Sequence, residues 1–526
     1  MSYGGKVHAS REKYDATRTG KRSGWNPNWK KAPPVERGSA YKPIVNPSAE
    51  QRAIFMHVAS SPNHLVVQAL AGTGKTATIV EAMCKYVPPG KSMLYVIFAN
   101  RNAREAESKC HAGIQVRTCH AFGLAALKAA YGSKVEVDAK GEKVRNIAQA
   151  LLGPEDEKVE LRFNFCKAVS LAKGYLCSDV ESVLAVMTKH EIEVNLDQTS
   201  EDDFASNVLK ALELSAQQYM RVDFDDMIWL PIKRNVSIPK YDYVFPDEVQ
   251  DLSPARRELV KRAVALNGKM VAVGDKNQAI FGWTGADSAS MENTRTEMDA
   301  DVLHLSTTYR CAKSIVAVAQ ATVPEYVAYE GNAEGEVTNK SLDMMQKPAN
   351  EGGAAPGDFI LSRVNAPLVK LCMQFVREGR KANIQGRDVG KNLTYMLKRS
   401  KAASVSGFLM WLDTWESNEC QKLAERNKPI DAITDKADCL RVFCEGETSL
   451  EAVKANIESM FADEEPGKPE TGIIRLSSIH RAKGLEADRV WLLTYTFTPV
   501  GPDEENVWYV GVTRARHSLY MVRKAL

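Results

Sequence analysis

The 526-residue sequence predicts an α/β fold of two parallel-sheet domains, each carrying a mainly helical insertion. Three observations predict it. The apolar run Leu65–Val67 passes through a glycine-containing turn, Ala69–Thr76, into a segment that reads as a helix. A second apolar strand, Tyr241–Phe245, ends in adjacent carboxylates, and a third, Val271–Val273, ends at Gly274-Asp275. Between the first and second strands, apolar residues recur with the 3.6-residue period of helices.

In chain order, residues 1–45 come first, with ten Lys/Arg against Glu12, Asp15 and Glu36, and with Trp25 and Trp29 interleaved. Such a segment cannot bury enough apolar surface to order itself alone. It reads either as a nucleic-acid-gripping tail or as a solvated leader. The first sheet domain is expected over 46–130 and 215–297. Its turn Ala69-Leu-Ala-Gly-Thr-Gly-Lys-Thr76 departs from the strict Gly-x4-Gly-Lys-Ser/Thr pattern only in having Ala69 for the first glycine. Gly72 and Gly74 supply positions where backbone can curl around a phosphate. Ala71–Thr76 would present N–H groups to that anion, helped by the helix N-terminus. Lys75 would reach the outer phosphates, and the Thr76 hydroxyl would ligate Mg²⁺.

Residues 131–214 form the first helical insertion: Val144, Ile147, Ala148 and Leu151 share one face, as do Phe204, Val208, Ala211 and Leu212. The strand at 241–245 then delivers Asp247, suited to hold Mg²⁺ through water, and Glu248, suited to polarise an attacking water. Pro246 removes one backbone donor at the strand end, where the loss is tolerable. Gln278 follows the next strand, placed to sense a γ-phosphate, with Phe281 and Trp283 close behind. The second sheet domain is expected over 298–385 and 470–526. Its insertion, 386–469, is expected to be helical and to end in the polar stretch Asp463–Pro469.

The bulk numbers fit this division. The length allows about three or four units of roughly 100–200 residues each. No apolar stretch approaches the roughly 18–20 residues of a membrane span, and a signal-peptide core is not expected. Ten cysteines without a Cys-x-x-Cys pair suggest neither a zinc ribbon nor a disulfide framework, and a reducing intracellular compartment is expected.

An ordered series of motifs resembles the UvrD/Rep family of superfamily 1A DNA helicases. Asn46–Gln51 is similar to the Q motif, Phe98–Glu105 to motif Ia, and Thr118–Phe122 to motif Ib. Asp247–Asp251 is similar to motif II, Gly274–Ala286 to motif III, and Leu305–Arg310 to motif IV. Ile479–Glu486 resembles motif V and Tyr509–Arg516 motif VI. Thr284 departs from the family's usual arginine, so coupling there would run through other residues. In compactness the chain looks like phage-encoded or F-box DNA helicase relatives.

The resemblance implies two RecA-like motor domains using ATP and Mg²⁺ to move 3′-to-5′ along single-stranded DNA and to separate strands at single-strand/duplex junctions. Displacement of proteins from DNA with little strand separation is the alternative. It implies that Gln51 reads adenine, Tyr309 stacks on it, Glu486 binds the ribose, and Arg310 and Arg514 reach the γ-phosphate. It places Phe98, Phe281 and Trp283 against bases, and Thr118, His120 and His480 along the sugar–phosphate path. Phe98 also reads as core packing, since it ends an apolar strand. A cytoplasmic or nucleoid-associated location is implied, and protein partners are not specified.

Overall fold

The computed structural model describes residues 38, 40–98, 100–153, 159–192, 194, 199–282, 285, 287, 289–425, 430–461, 472–497 and 502–524. Six strands form the first sheet: β1 (Leu65–Ala69), β2 (Met93–Ile97), β3 (Ile114–Thr118), β4 (Tyr241–Pro246), β5 (Val264–Gly274) and β6 (Asp301–Leu305). Their order is β3-β2-β4-β5-β1-β6, and every neighbouring pair is parallel. Strands β1 and β2 are buried along their whole length, which is why Leu65–Val67 and Met93–Ile97 read as apolar runs. The edge strand β3 instead alternates buried and exposed residues.

Strand β6 corrects the expected boundary at residues 297/298. Asp301–Leu305 pairs with Leu65–Ala69, so it closes the first sheet rather than opening the second. Three of its five side chains are exposed, so its sequence carries little apolar signal.

The second sheet comprises β7 (Glu336–Ser341), β8 (Phe359–Ser362), β9 (Ala382–Ile384), β10 (Ile474–Ser478), β11 (Ala487–Leu493) and β12 (Ala515–Arg523). Its order, β7-β12-β11-β8-β10-β9, is again parallel throughout.

Helices fill both intervals. Glu142–Leu152, Val159–Tyr175, Val180–Lys189 and Glu201–Gln217 lie between β3 and β4, beside a short strand pair, Glu136–Val137 with Arg221–Val222. Phe204, Val208, Ala211 and Leu212 are buried there, and Ile147 and Ala148 face them in the same core. That core also contains Val66, Leu94, Val96 and Ala272 of the first sheet, so insertion and sheet share one apolar interior. Arg387–Arg399, Val405–Ala424, Asp431–Cys444 and Leu450–Met460 occupy the later interval. The stretch Asp463–Pro469 lies outside the described residues.

Of the basic arm, residues 1–37 and 39 lie outside the described residues. The end of that segment is tied to the first lobe: the Tyr41 hydroxyl donates to Glu81 Oε2 at 2.7 Å, the Ile44 N–H to the same oxygen at 3.1 Å. Tyr41 and Ile44 pack on the sheet face opposite the insertion. All ten cysteines are free thiols. Among the described residues no helix is long and apolar enough to cross a membrane.

A further apolar cluster lies where the two lobes meet. Leu70, Ala71 and Ile280, from turns at the carboxyl ends of first-sheet strands, are buried against Ile315, Tyr326, Ile479 and Tyr509. The glycine-containing turn therefore sits in the junction itself.

Candidate functional site

In open parallel sheets, ligands bind at the carboxyl ends of strands. Strand β1 delivers the turn, and Gly74 (φ +78°) begins the helix Lys75–Glu81 in a left-handed conformation. Gly72 is also left-handed, at φ +70°. Ala69, the departure from the strict pattern, still belongs to the strand, and Leu70 N–H continues the ladder to the Leu305 carbonyl at 2.9 Å. A glycine has no conformational task at 69, because the backbone leaves extended geometry only after Leu70. Thr73 folds inward, its hydroxyl donating to the Leu70 carbonyl at 2.8 Å.

Strand β4 ends at Pro246, and Asp247 N–H resumes the ladder by donating to Val96. Glu248 then adopts φ +52°, a left-handed conformation costly for a residue that carries a Cβ, on the order of 1–3 kcal/mol. That turn brings both carboxylates to Lys75, whose ammonium lies 2.5 Å from Glu248 Oε1 and 3.4 Å from Asp247 Oδ1. Tyr95 donates to Asp247 Oδ2 at 3.0 Å. Burial would raise Glu248, but the Lys75 and Lys483 charges outweigh it and hold the carboxyl at about 2. For Asp247 burial wins over the Lys75 charge, and its pKa is raised. Burial lowers Lys75, but Glu248 and Asp247 more than offset this and the ammonium is raised.

A relay of hydrogen bonds runs from Glu248 to the second lobe. Gln250 Nε2 donates to Glu248 Oε2 at 2.6 Å, and Gln250 Oε1 accepts from Asp275 N–H at 3.0 Å. Gln278 Nε2 donates to Asp275 Oδ2 at 2.7 Å, and Arg514 Nη2 donates to Gln278 Oε1 at 3.4 Å. Burial raises Asp275 to about 6. Arg514 is 1% exposed and anchored by the carbonyls of Val510 (2.9 Å) and Leu485 (3.1 Å). Burial, with the nearby Arg310 charge, lowers its pKa to about 10, so it remains cationic at neutral pH.

Arg310 lies directly on the turn: a Cβ added to Gly72 would stand 2.4 Å from Arg310 Cβ. Tyr309 N–H donates to the Gly72 carbonyl at 2.9 Å. Ala71 is held from both sides, its N–H donating to Tyr509 Oη at 3.0 Å and its carbonyl accepting from the Tyr326 hydroxyl at 2.8 Å. The Tyr309 ring is 43% exposed beside Tyr329, with centroids 5.0 Å apart.

Other expected residues have structural partners of their own. Gln51 completes a capping box with Ser48 and donates from Nε2 to Thr78 Oγ1 at 3.0 Å, bridging its helix to the one that follows the turn. Glu486 holds Arg310 at 2.5 Å and Arg516 at 3.4 Å. Thr118 is buried, and its hydroxyl caps the helix Cys119–Tyr131 by accepting from Ala121 N–H at 3.2 Å.

On the strand side, Phe98 is half-buried beneath Arg256, whose guanidinium carbon lies 4.9 Å from the ring centroid, so it is not a core residue. His120 packs edge-on to Phe224, and burial with the Arg256 charge lowers its pKa to about 4. Lys483 lies 5.0 Å from the Phe281 ring centroid. His480 is lowered to about 4 by burial, with Arg363 and Lys483 adding to the effect. Trp283 lies outside the described residues, as does Thr284.

Lys483 was not among the residues the sequence singled out. Its ammonium pairs with Asp251 Oδ2 at 2.6 Å and Oδ1 at 2.9 Å, and donates to the Gln278 carbonyl at 2.6 Å. One second-lobe cation thus touches motif II, the backbone of motif III and an aromatic of the expected strand path. Only its place inside His480–Gly484 could have signalled it.

Comparison with known proteins identifies the family. Residues 48–299 match the UvrD/REP helicase N-terminal domain and residues 474–522 the UvrD-like helicase C-terminal domain, together more than half of the chain. The chain is 24% identical to ATP-dependent DNA helicase Rep of Escherichia coli K12 over 53% of its length and 43% of Rep. It is 22% identical to F-box DNA helicase 1 of Gallus gallus over 90% of its length and 48% of that protein. For F-box DNA helicase protein 1 of Schizosaccharomyces pombe the identity is 24%, over 90% of this chain and 57% of the relative. The chain spans about half the length of these curated relatives. With two parallel-sheet lobes meeting at the glycine turn and both helicase domains matched in order, the chain belongs to the UvrD/Rep helicase family.

Proposed function

We propose that the chain is an ATP-driven, 3′-to-5′ single-stranded DNA translocase and DNA helicase. The observation that carries this reading is the relay Glu248–Gln250–Asp275–Gln278–Arg514, which joins the first lobe's acid to the second lobe's arginine. We assign the first motor lobe to residues 46–130 and 215–305 and the second to 306–385 and 472–524.

The residues present suit a magnesium triphosphate. Gly72 and Gly74 are left-handed, which turns successive N–H groups of the loop inward, and the ligands offered to the metal would be hard oxygens, the Thr76 hydroxyl and the Asp247 carboxylate. Magnesium, when bound, would neutralise charge on the outer phosphates. Lys75 cannot serve both the carboxylates and a phosphate. Transfer of its ammonium to phosphate oxygen would free Glu248, a carboxylate at neutral pH, to take a proton from the attacking water. Arg310 and Arg514 would stabilise the charge that grows on the transferred group, and Gln278 would report it along the relay. Tyr309 would stack on adenine beside Tyr329, with Gln51 and Glu486 near the base and ribose. Lys483 would couple this chemistry to Phe281 and hence to the DNA strand. The 3′-to-5′ polarity is supported by the His480-Arg-Ala-Lys-Gly484 form of motif V.

The test is unwinding of duplexes carrying a 3′ or a 5′ single-stranded tail, beside displacement of a protein blocking a single strand. Separation confined to the 3′-tailed duplex is expected. Blocker displacement without separation would replace the helicase by a protein-stripping translocase, and preference for the 5′ tail would overturn the polarity.

A further inference from the structure

We propose that Arg256 clasps a backbone phosphate of the single strand, on a platform completed by Phe98, His120 and Phe224. This inference rests on the single-strand motor reading and names a contact within it.

Phe98 follows β2, and His120 begins the helix after β3; the two strands are neighbours, with Ile97 paired to Thr118. Both rings therefore stand at the carboxyl edge of the first sheet. Arg256 reaches this edge from the helix Pro254–Lys261. Its basic neighbours on that helix are committed elsewhere. Arg257 pairs with Asp287 at 3.2 Å and Glu297 at 3.0 Å, Lys261 with Glu297 at 2.7 Å, and Arg262 with Glu258 at 2.7 Å. Among the described residues, Arg256 has no carboxylate within ion-pairing distance; its guanidinium lies over the Phe98 ring instead.

A half-buried guanidinium keeps five N–H donors in one plane, a fork that matches the oxygens of a phosphate. Held over an aromatic face, the group cannot wander, so a phosphodiester meets it with little ordering cost. The histidine beside it is neutral at physiological pH, and the charge it feels is that of Arg256. Phe224, 36% exposed and at 84° to the His120 ring, walls the far side and offers a face for the adjoining base. The ligand is thus one phosphate with a neighbouring nucleobase.

The test is the salt dependence of the affinity of the whole 526-residue chain for a fluorescent oligothymidylate. For Arg256→Ala, the slope of log K against log salt should shrink by about 0.7, the counterion release of one phosphate contact on a single strand. Affinity should fall by roughly tenfold. Arg256→Lys should restore the slope and recover affinity only in part, because an ammonium keeps the charge but loses planar stacking. An unchanged slope in Arg256→Ala, with wild-type binding intact, would overturn this contact alone, even if the melting temperature fell. If Arg256→Ala does not fold, a wild-type slope in Arg256→Gln would overturn it equally. Absence of wild-type binding to the oligonucleotide would overturn the motor reading as well.

Discussion

At Gly72 the left-handed backbone and the Arg310 side chain occupy space that an L-residue needs. A methyl group there would meet Arg310 Cβ at 2.4 Å and Thr308 Oγ1 at 2.6 Å. Gly72→Ala should lower stability by about 1–3 kcal/mol and displace Arg310, cutting ATP turnover more than the stability loss accounts for. Thermal melting and steady-state hydrolysis on one preparation check this. Asp251 shows a different dependence. Burial raises its carboxyl to about 6 against the pull of Lys483, so Lys483→Met would leave a buried acid without its cation. Breaking a buried pair costs about 3–5 kcal/mol, and Asp251→Asn in the same chain should recover part of it, which a double-mutant cycle by denaturant titration would read. His120 and His480 have pKa values depressed to about 4, so between pH 6.5 and 4 the unfolded chain binds more protons than the folded one. Their contribution is therefore complete above pH 6.5 and is lost as pH falls toward 4, with a slope of at most about 1.4 kcal/mol per pH unit for each histidine. Melting followed across that range should be shallower in His480→Gln.

Elements were legible where their partners are near in sequence or their period is strong. Strands β1, β2 and β4 stood out because burial on both faces favours apolar residues along most of their length. The helical faces through Ile147 and Phe204 followed from spacing alone. Strand β6 did not, since Asp301, Val302 and His304 are exposed and its place is fixed by pairing with residues more than two hundred positions earlier. The same reason hid Lys483, Tyr326 and Arg256, whose meaning comes from remote contacts, with Asp251, Ala71 and Phe98. Motif likeness brought Gln51, Thr118 and Glu486 forward, and their capping and ion-pair roles depend on neighbours that only coordinates supply. Because Phe204 belongs to a core shared by the insertion and the first sheet, Phe204→Ala should cost about 3–5 kcal/mol. The loss should appear in the transition that melts the sheet; a separate early transition for the insertion would contradict the shared core.

Across the whole molecule, the two lobes are joined where the chemistry would occur. Leu70, Ala71 and Ile280 are buried against second-lobe residues, and Tyr509, Arg514 and Lys483 reach first-lobe atoms around the glycine turn. Under the proposed motor reading, cleft geometry and hydrolysis would be one coordinate, as for a hinge that responds to γ-phosphate contacts. A strand lying on Phe281 would bias that hinge through Lys483, so single-stranded DNA should accelerate hydrolysis. Lys75→Ala should be nearly inactive with or without DNA, because Lys75 is the cation that pairs with both carboxylates beside the turn.

The most direct measurement is steady-state ATP hydrolysis with saturating single-stranded DNA, set beside nucleotide binding, in wild type, Arg514→Ala and Arg514→Lys. The composite site predicts that both variants bind nucleotide while Arg514→Ala loses turnover by a factor on the order of 10³. An Arg514→Ala protein that hydrolyses ATP at the wild-type rate would contradict the claim that the second lobe completes the site.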